Sequence, residues 1–144
     1  MTTYLLIVFS ALVLAAGATP VVRRVGSQWG FVDQPSERKV HKIAMPRVGG
    51  VAIYLAFIVA LLTFGRLFYI RQVVGIFLGA TLVSGFGLWD DRWGLRPWSK
   101  MVGQLLAAGI LILSGVQVQA LHQPVLNLLA TLVWVVGITN AINF

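Results

Sequence analysis

The chain has 144 residues, of which 58% are hydrophobic and only 10% charged, with a net charge of +7 and a mean hydropathy of +0.88. Soluble domains carry about 25% charged residues, so this composition excludes an ordinary soluble globular domain and points to an all-α polytopic membrane protein. Cysteine is absent, which excludes disulfides and thiolate metal sites.

Five apolar stretches follow one another along the chain, at residues 4–22, 48–64, 73–89, 98–116 and 125–144. Each is of a length that suits a helix crossing a hydrocarbon layer about 30 Å thick. The first contains "AAGA" at Ala15–Ala18, which has the small residues of a leader-cleavage site. A cleaved leader carries its basic residues in front, whereas "MTTY" has none and Arg23 and Arg24 follow the stretch. The expectation is a retained first helix with its N-terminus outside. The third and fourth stretches hold Gly75, Gly79, Gly85, Gly87, Gly103 and Gly109, small residues that let membrane helices approach closely.

The loops set the orientation. Arg23, Arg24, Arg38, Lys39, Lys42 and Arg47 lie in the first loop and Arg92, Arg96 and Lys100 in the third, against Arg66 and Arg71 in the second. This bias places the first and third loops in the cytoplasm, by the rule that Lys and Arg accumulate there, and leaves the C-terminus at the cytoplasmic face. Trp29, Trp89, Trp93 and Trp98 fall near the same boundary, as an aromatic belt does. The basic residues are thus those of inter-span loops, and no nucleic-acid partner is expected. After the fourth span, Val116, Val118 and Ala120 alternate with Gln117 and Gln119, which predicts a short outer strand near 116–120. His122, in the same loop, is assigned no role. Residues 1–144 read as a single transmembrane domain without internal repeats.

Four groups of polar residues could carry chemistry. Asp90 and Asp91 close the third span, near a helix C-terminus whose dipole disfavours carboxylates. They need compensation from water, from Arg92 and Arg96, or from a bound cation such as Mg²⁺, which takes one or two carboxylates together with phosphate oxygens and water. On the dipeptide alone, a solvated turn with Asp91 paired to Arg is the favoured reading. The first loop, "DQPSERKVHKIAMPRVGG" from Asp33 to Gly50, groups basic residues able to hold phosphate, although basic residues there also suit anionic lipid headgroups. Asn140 and Asn143 are three apart on one helical face, with Thr139 adjacent, and suit either a site or an interhelical hydrogen bond. Lys100 and Gln104, four apart on the fourth span, raise the same choice. All four groups are predicted at the cytoplasmic boundary, where a soluble phosphorylated molecule meets a lipid headgroup.

Three segments carry a family resemblance. "DQPSERKVHKIAMPRVGG" resembles the D-x-P-x-x-R-K-x-H…P-x-x-G-G segment of bacterial polyprenyl-phosphate N-acetylhexosamine-1-phosphate transferases, of the glycosyltransferase 4 group. "GLWDDRWGLRPWSKMVGQ" resembles their G-x-x-D-D…K…G-Q segment, and "NAINF" the start of their N-A-x-N-F-x-D-G-x-D-G-L-A motif. The "PRVGG" reading is similar to the undecaprenyl-phosphate GlcNAc-1-phosphate branch.

The resemblance implies transfer of GlcNAc-1-phosphate, or a similar HexNAc-1-phosphate, from a UDP-sugar to undecaprenyl phosphate in the bacterial inner membrane, releasing UMP and initiating cell-envelope polysaccharide synthesis. It implies Mg²⁺, or Mn²⁺ in its place, as cofactor. It makes Asp90 and Asp91 the catalytic and metal carboxylates, sets His41, Lys42 and Arg47 against phosphates, adds Lys100 as a substrate-binding residue, and gives Asn140 and Asn143 the nucleotide-sugar. It leaves open whether a carboxylate deprotonates the lipid phosphate or itself attacks phosphorus. The family's D-G-x-D-G aspartates would follow Phe144, so the expectation is a truncated chain, inactive alone, whose partner is a missing C-terminal half or a second copy in a homodimer. A small non-catalytic five-span membrane protein, a transporter subunit or an assembly partner, is the alternative.

Overall fold

The computed structural model describes residues 2–33, 45–46, 48–64 and 70–142. The described residues form five helices and one two-residue antiparallel pair, and the contacts divide the chain into two compact units, residues 1–64 and 65–144.

In the first unit, α1 (Thr2–Gln28) packs with α2 (Gly49–Phe64). The helix α1 outruns its predicted span of 4–22, continuing through Arg23 and Arg24, because a helix need not stop where the hydrocarbon does. Pro20 lies inside it, a residue that membrane helices tolerate. Ala52, Ala56 and Ala60 are buried at four-residue spacing on α2, the small-residue stripe by which helices approach in lipid. Gly26 serves the same purpose: a Cβ there would lie 2.5 Å from Val48, itself only 4% exposed. The pair β1 (Val32–Asp33) and β2 (Met45–Pro46) joins Val32 to Pro46 and Asp33 to Met45 within the first loop.

In the second unit, α4 (Pro97–Leu113) packs with both α3 (Ile70–Trp93) and α5 (Pro124–Ile142). The helices α3 and α4 form an antiparallel hairpin held by glycine contacts. A Cβ on Gly75 would overlap the Ser114 side chain, one on Gly79 would touch Leu111 at 3.5 Å, and one on Gly103 would lie 2.8 Å from the Phe86 ring. Gly103→Val is therefore expected to displace Phe86 and cost about 1–3 kcal/mol. A fall in the thermal-denaturation midpoint in detergent checks this, and an unchanged midpoint would contradict the contact.

Three left-handed glycines follow helices, the first of them Gly30 (φ +76°) after α1. Gly94 (φ +67°) follows α3 and Gly115 (φ +82°) follows α4. At Gly115 the amide donates to Ile112 O at 3.0 Å and the Val116 amide to Leu111 O at 2.8 Å, the pair of bonds that closes a helix when its first outer residue is left-handed. This stop at Leu113 shortens the fourth predicted span, 98–116.

The predicted outer strand at 116–120 is not formed; these residues are irregular. Within the stretch, an α5 side chain takes the Val118 N–H that a strand partner would need, and α5 also clasps Leu121 just beyond it. Val118 N–H donates to Thr131 Oγ1 at 2.9 Å, Leu121 N–H donates to Asn127 Oδ1 at 2.9 Å, and Asn127 Nδ2 donates to Leu121 O at 2.9 Å. The alternation in sequence survives as exposure: Gln117 and Gln119 are exposed, Val116 and Val118 half-buried.

Three helical segments among the described residues, Tyr4–Gln28, Ile70–Trp93 and Pro124–Ile142, are long and apolar enough to cross a membrane. The helices α2 and α4 have 16 and 17 residues, about 24–26 Å at 1.5 Å per residue. Large apolar side chains are exposed along α1, including Tyr4, Leu5, Phe9 and Leu12. Water would penalise that surface and lipid does not. The protein is an all-α, multi-pass membrane protein.

Candidate active site

The second unit contains a cavity of about 310 Å³ lined by α3, α4 and α5. The helix α3 presents Val83, Phe86, Gly87 and Asp90 to it, at the spacing i, i+3, i+4, i+7 that marks one helical face. The helix α4 presents Lys100, Gly103 and Gln104, and α5 presents Ile138, Thr139 and Ile142. The wall is apolar, with four polar side chains set into it.

Asp90 is the charged centre of this arrangement. Its Oδ2 lies 2.5 Å from Lys100 Nζ, and its Oδ1 accepts the Leu95 N–H at 2.8 Å. The Asp90 backbone carbonyl accepts the Gly94 N–H at 2.8 Å. The chain turns at Gly94, whose left-handed backbone carries Leu95 back toward the last turn of α3. Arg96 is extended and Pro97 opens α4, so Lys100 falls in its first turn. These contacts answer the electrostatic objection to an acid near a helix C-terminus: an ammonium and a backbone N–H offset the dipole. The ion pair is partly shielded, with side-chain exposures of 30% for Lys100 and 17% for Asp90, so it is stronger than a fully hydrated surface pair.

Asp91 does not line the cavity. Consecutive helical residues point about 100° apart, and with Asp90 turned inward Asp91 is exposed. The two aspartates, adjacent in sequence, thus occupy different surroundings.

Asn140 does not line the cavity either, but it is bound to a residue that does. Its Nδ2 donates to Gln104 Oε1 at 2.8 Å and to Val136 O at 2.8 Å, while Gln104 Nε2 donates to Asn140 Oδ1 at 3.3 Å. Of the two readings of this asparagine, the interhelical hydrogen bond is formed. Thr139, its neighbour, does reach the cavity and donates to Val135 O at 2.7 Å. His41, Lys42, Arg47 and Asn143 lie outside the described residues.

The sequence leaves Gln104 with a choice between a site and an interhelical bond, gives Thr139 no role of its own and Gly87 only a packing one, and does not mark Val83 or Phe86. Stepping back from Asp90 by three, four and seven residues would have found Gly87, Phe86 and Val83. The Leu95 amide carries no sequence signal.

A cation was expected here, and the donors bear on it. Asp90, Gln104 and Thr139 offer oxygen, and among the described residues neither sulfur nor imidazole lines the cavity, which suits a hard cation such as Mg²⁺. No group of three or more His, Cys, Asp or Glu able to hold a metal occurs among the described residues. Asp90 would hold such an ion, with water and phosphate oxygens completing its shell.

Comparison with known proteins assigns this unit. The family model for glycosyl transferase family 4 matches residues 73–144, which include every residue lining the cavity. The chain is 35% identical over 134 residues to the probable undecaprenyl-phosphate N-acetylglucosaminyl 1-phosphate transferase of Bacillus subtilis, a match covering 87% of this chain and 37% of the relative. It is 33% identical over 157 residues to the decaprenyl-phosphate N-acetylglucosaminephosphotransferase of Mycobacterium tuberculosis, covering 96% and 39%, and 32% identical to that of Mycobacterium leprae, with the same coverage. The chain therefore spans under two fifths of the length of these curated relatives. No solved structure gives a significant match. With half its length matched by the family model and nearly all of it aligned to these transferases, the chain belongs to glycosyl transferase family 4.

Proposed function

We propose that this chain contributes to the transfer of GlcNAc-1-phosphate, or a similar HexNAc-1-phosphate, from a UDP-sugar to undecaprenyl phosphate, at the cytoplasmic face of a bacterial inner membrane. The observation that carries the reading is the Asp90–Lys100 pair in a largely apolar cavity, inside the family-matched residues. In this reaction an oxygen of the lipid phosphate attacks the sugar-bearing phosphorus of the UDP-sugar. A new diphosphate bond forms, the bond to the UMP oxygen breaks, and UMP leaves with the electron pair.

Such a transfer asks mainly for positioning and charge stabilisation. Lys100 supplies a point charge for a phosphate. Asp90 holds Lys100 in place and offers the carboxylate for a cation. The apolar wall of Val83, Phe86, Ile138 and Ile142 keeps water away and strengthens both interactions. Mg²⁺, or Mn²⁺ in its place, neutralises diphosphate charge and polarises the attacked phosphorus when bound. His41, Lys42 and Arg47 on phosphates, Asn143 on the nucleotide-sugar, and Asp91 as a second carboxylate are the resemblance's further assignments. The initiation of cell-envelope polysaccharide synthesis follows from the same reading.

The test is Mg²⁺-dependent release of UMP from UDP-GlcNAc and undecaprenyl phosphate by membranes that hold the chain together with the C-terminal part of a glycosyl transferase family 4 relative, because the chain is expected to be inactive alone. Turnover that depends on Asp90 supports the reading. Turnover unchanged by Asp90→Asn would overturn it and favour a non-catalytic membrane protein.

A further inference from the structure

We infer that Gln104 is a ligand-contacting side chain of this cavity and that Asn140 is its positioning residue, acting through Gln104 without touching the ligand itself. This rests on the cavity being the transferase site. It follows from a count of hydrogen-bonding capacity. An asparagine amide has two N–H donors. Those of Asn140 are spent on Gln104 Oε1 and on Val136 O, both at 2.8 Å. The Val136 carbonyl is an acceptor only, so it fixes which end of the Asn140 amide is nitrogen. Asn140 Oδ1 is then set to accept from Gln104 Nε2 at 3.3 Å, and the Gln104 amide has one orientation.

Gln104 keeps what Asn140 has spent. Each amide has two donors and two acceptor lone pairs, and the pair with Asn140 uses one donor and one lone pair of Gln104. One N–H and one lone pair remain. The residue is only 6% exposed and lines the cavity with Lys100, one helical turn away, and Asp90. An N–H beside an ammonium suits an oxygen of a phosphorylated ligand, in the proposed reaction the nucleoside diphosphate sugar. Glutamine has three side-chain torsions to restrain, and a fixed partner on α5 removes that freedom before the ligand arrives. The helical spacing of Lys100 and Gln104 and the position of Asn140 on the neighbouring helix thus form one device.

The experiment measures equilibrium binding of UDP-GlcNAc, with Mg²⁺ present, to the chain in nanodiscs, with thermal denaturation followed in parallel. Gln104→Leu is expected to weaken binding at least tenfold and Asn140→Leu severalfold. The double variant should bind within twofold of Gln104→Leu, because Asn140 acts only through Gln104. Gln104→Glu still accepts from Asn140 Nδ2 but has no N–H for the ligand. It is also expected to bind at least tenfold more weakly, and it serves if the leucine variant does not fold. A further loss in the double variant would show that Asn140 meets the ligand directly and would overturn the assignment. Unaltered binding by Gln104→Glu, with binding still lost in Asp90→Asn, would overturn it while leaving the proposed function standing. No binding by the unmodified chain would overturn both.

Discussion

In the chain completed by the C-terminal part of a family relative, Asp90→Asn should lower Mg²⁺-dependent UMP release about a hundredfold or more, the scale on which a positioned ionisable group contributes to catalysis, with little loss of fold. Asparagine keeps a side-chain oxygen for the Leu95 N–H, so the turn after α3 retains the bond that Asp90 Oδ1 makes at 2.8 Å. The negative charge is what disappears. Lys100, 30% exposed, has a flexible stem and can turn its ammonium toward water. A carboxylate is then missing from a cavity whose only other ionisable lining residue, among the described residues, is Lys100. Steady-state kinetics and a denaturation curve on the same preparation check both halves of this expectation. Activity loss matched by unfolding would contradict the catalytic assignment.

Lys100→Met should do the reverse for stability. It leaves the Asp90 carboxylate, 17% exposed and on a shorter stem than lysine, without its ammonium. Removing one partner of a fully buried pair costs about 3–5 kcal/mol. With these exposures about 1–3 kcal/mol is expected, since solvent screens part of the loss. The double variant Asp90→Asn/Lys100→Met should recover most of the stability, because no unpaired charge remains. A double-mutant cycle on denaturation midpoints tests the pair directly. Additive effects would mean that the contact is not energetically coupled.

The contrast between these variants shows what the sequence could and could not tell. The helices were legible because about twenty apolar residues in a row have few other uses. Their ends were less so. The stop at Leu113 depends on the left-handed Gly115, and many glycines in these helices are not caps. The strand expected at 116–120 followed a true alternation of apolar and polar residues. Alternation reports exposure, however, and a side chain such as Thr131 can satisfy a backbone N–H as well as a neighbouring strand can.

At the site, residue types were readable and partners were not. The aspartates looked like a pair because they are adjacent, yet helical geometry turns Asp90 to the cavity and leaves Asp91 exposed. Lys100 was noticed for its spacing to Gln104. That it meets Asp90 follows from the Gly94 turn and the short link to Pro97, which fold α4 back along α3. Asn140 was read both as a ligand group and as a helix clasp, and the structure forms the clasp, on a residue that faces the cavity.

A phosphorylated substrate is expected to enter the cavity between α3, α4 and α5. The chain has no cysteine, so a single one can report on this space. Gly87 lines the cavity, and a Cβ there meets nothing within 4 Å, so Gly87→Cys should be tolerated. UDP-GlcNAc with Mg²⁺ is expected to slow maleimide labelling of Gly87→Cys about tenfold, as it would if the ligand filled the space, and to leave labelling of Gln119→Cys, outside the cavity, unchanged. Equal labelling of Gly87→Cys with and without the nucleotide-sugar, in membranes where the completed enzyme releases UMP, would contradict entry of the substrate into this cavity.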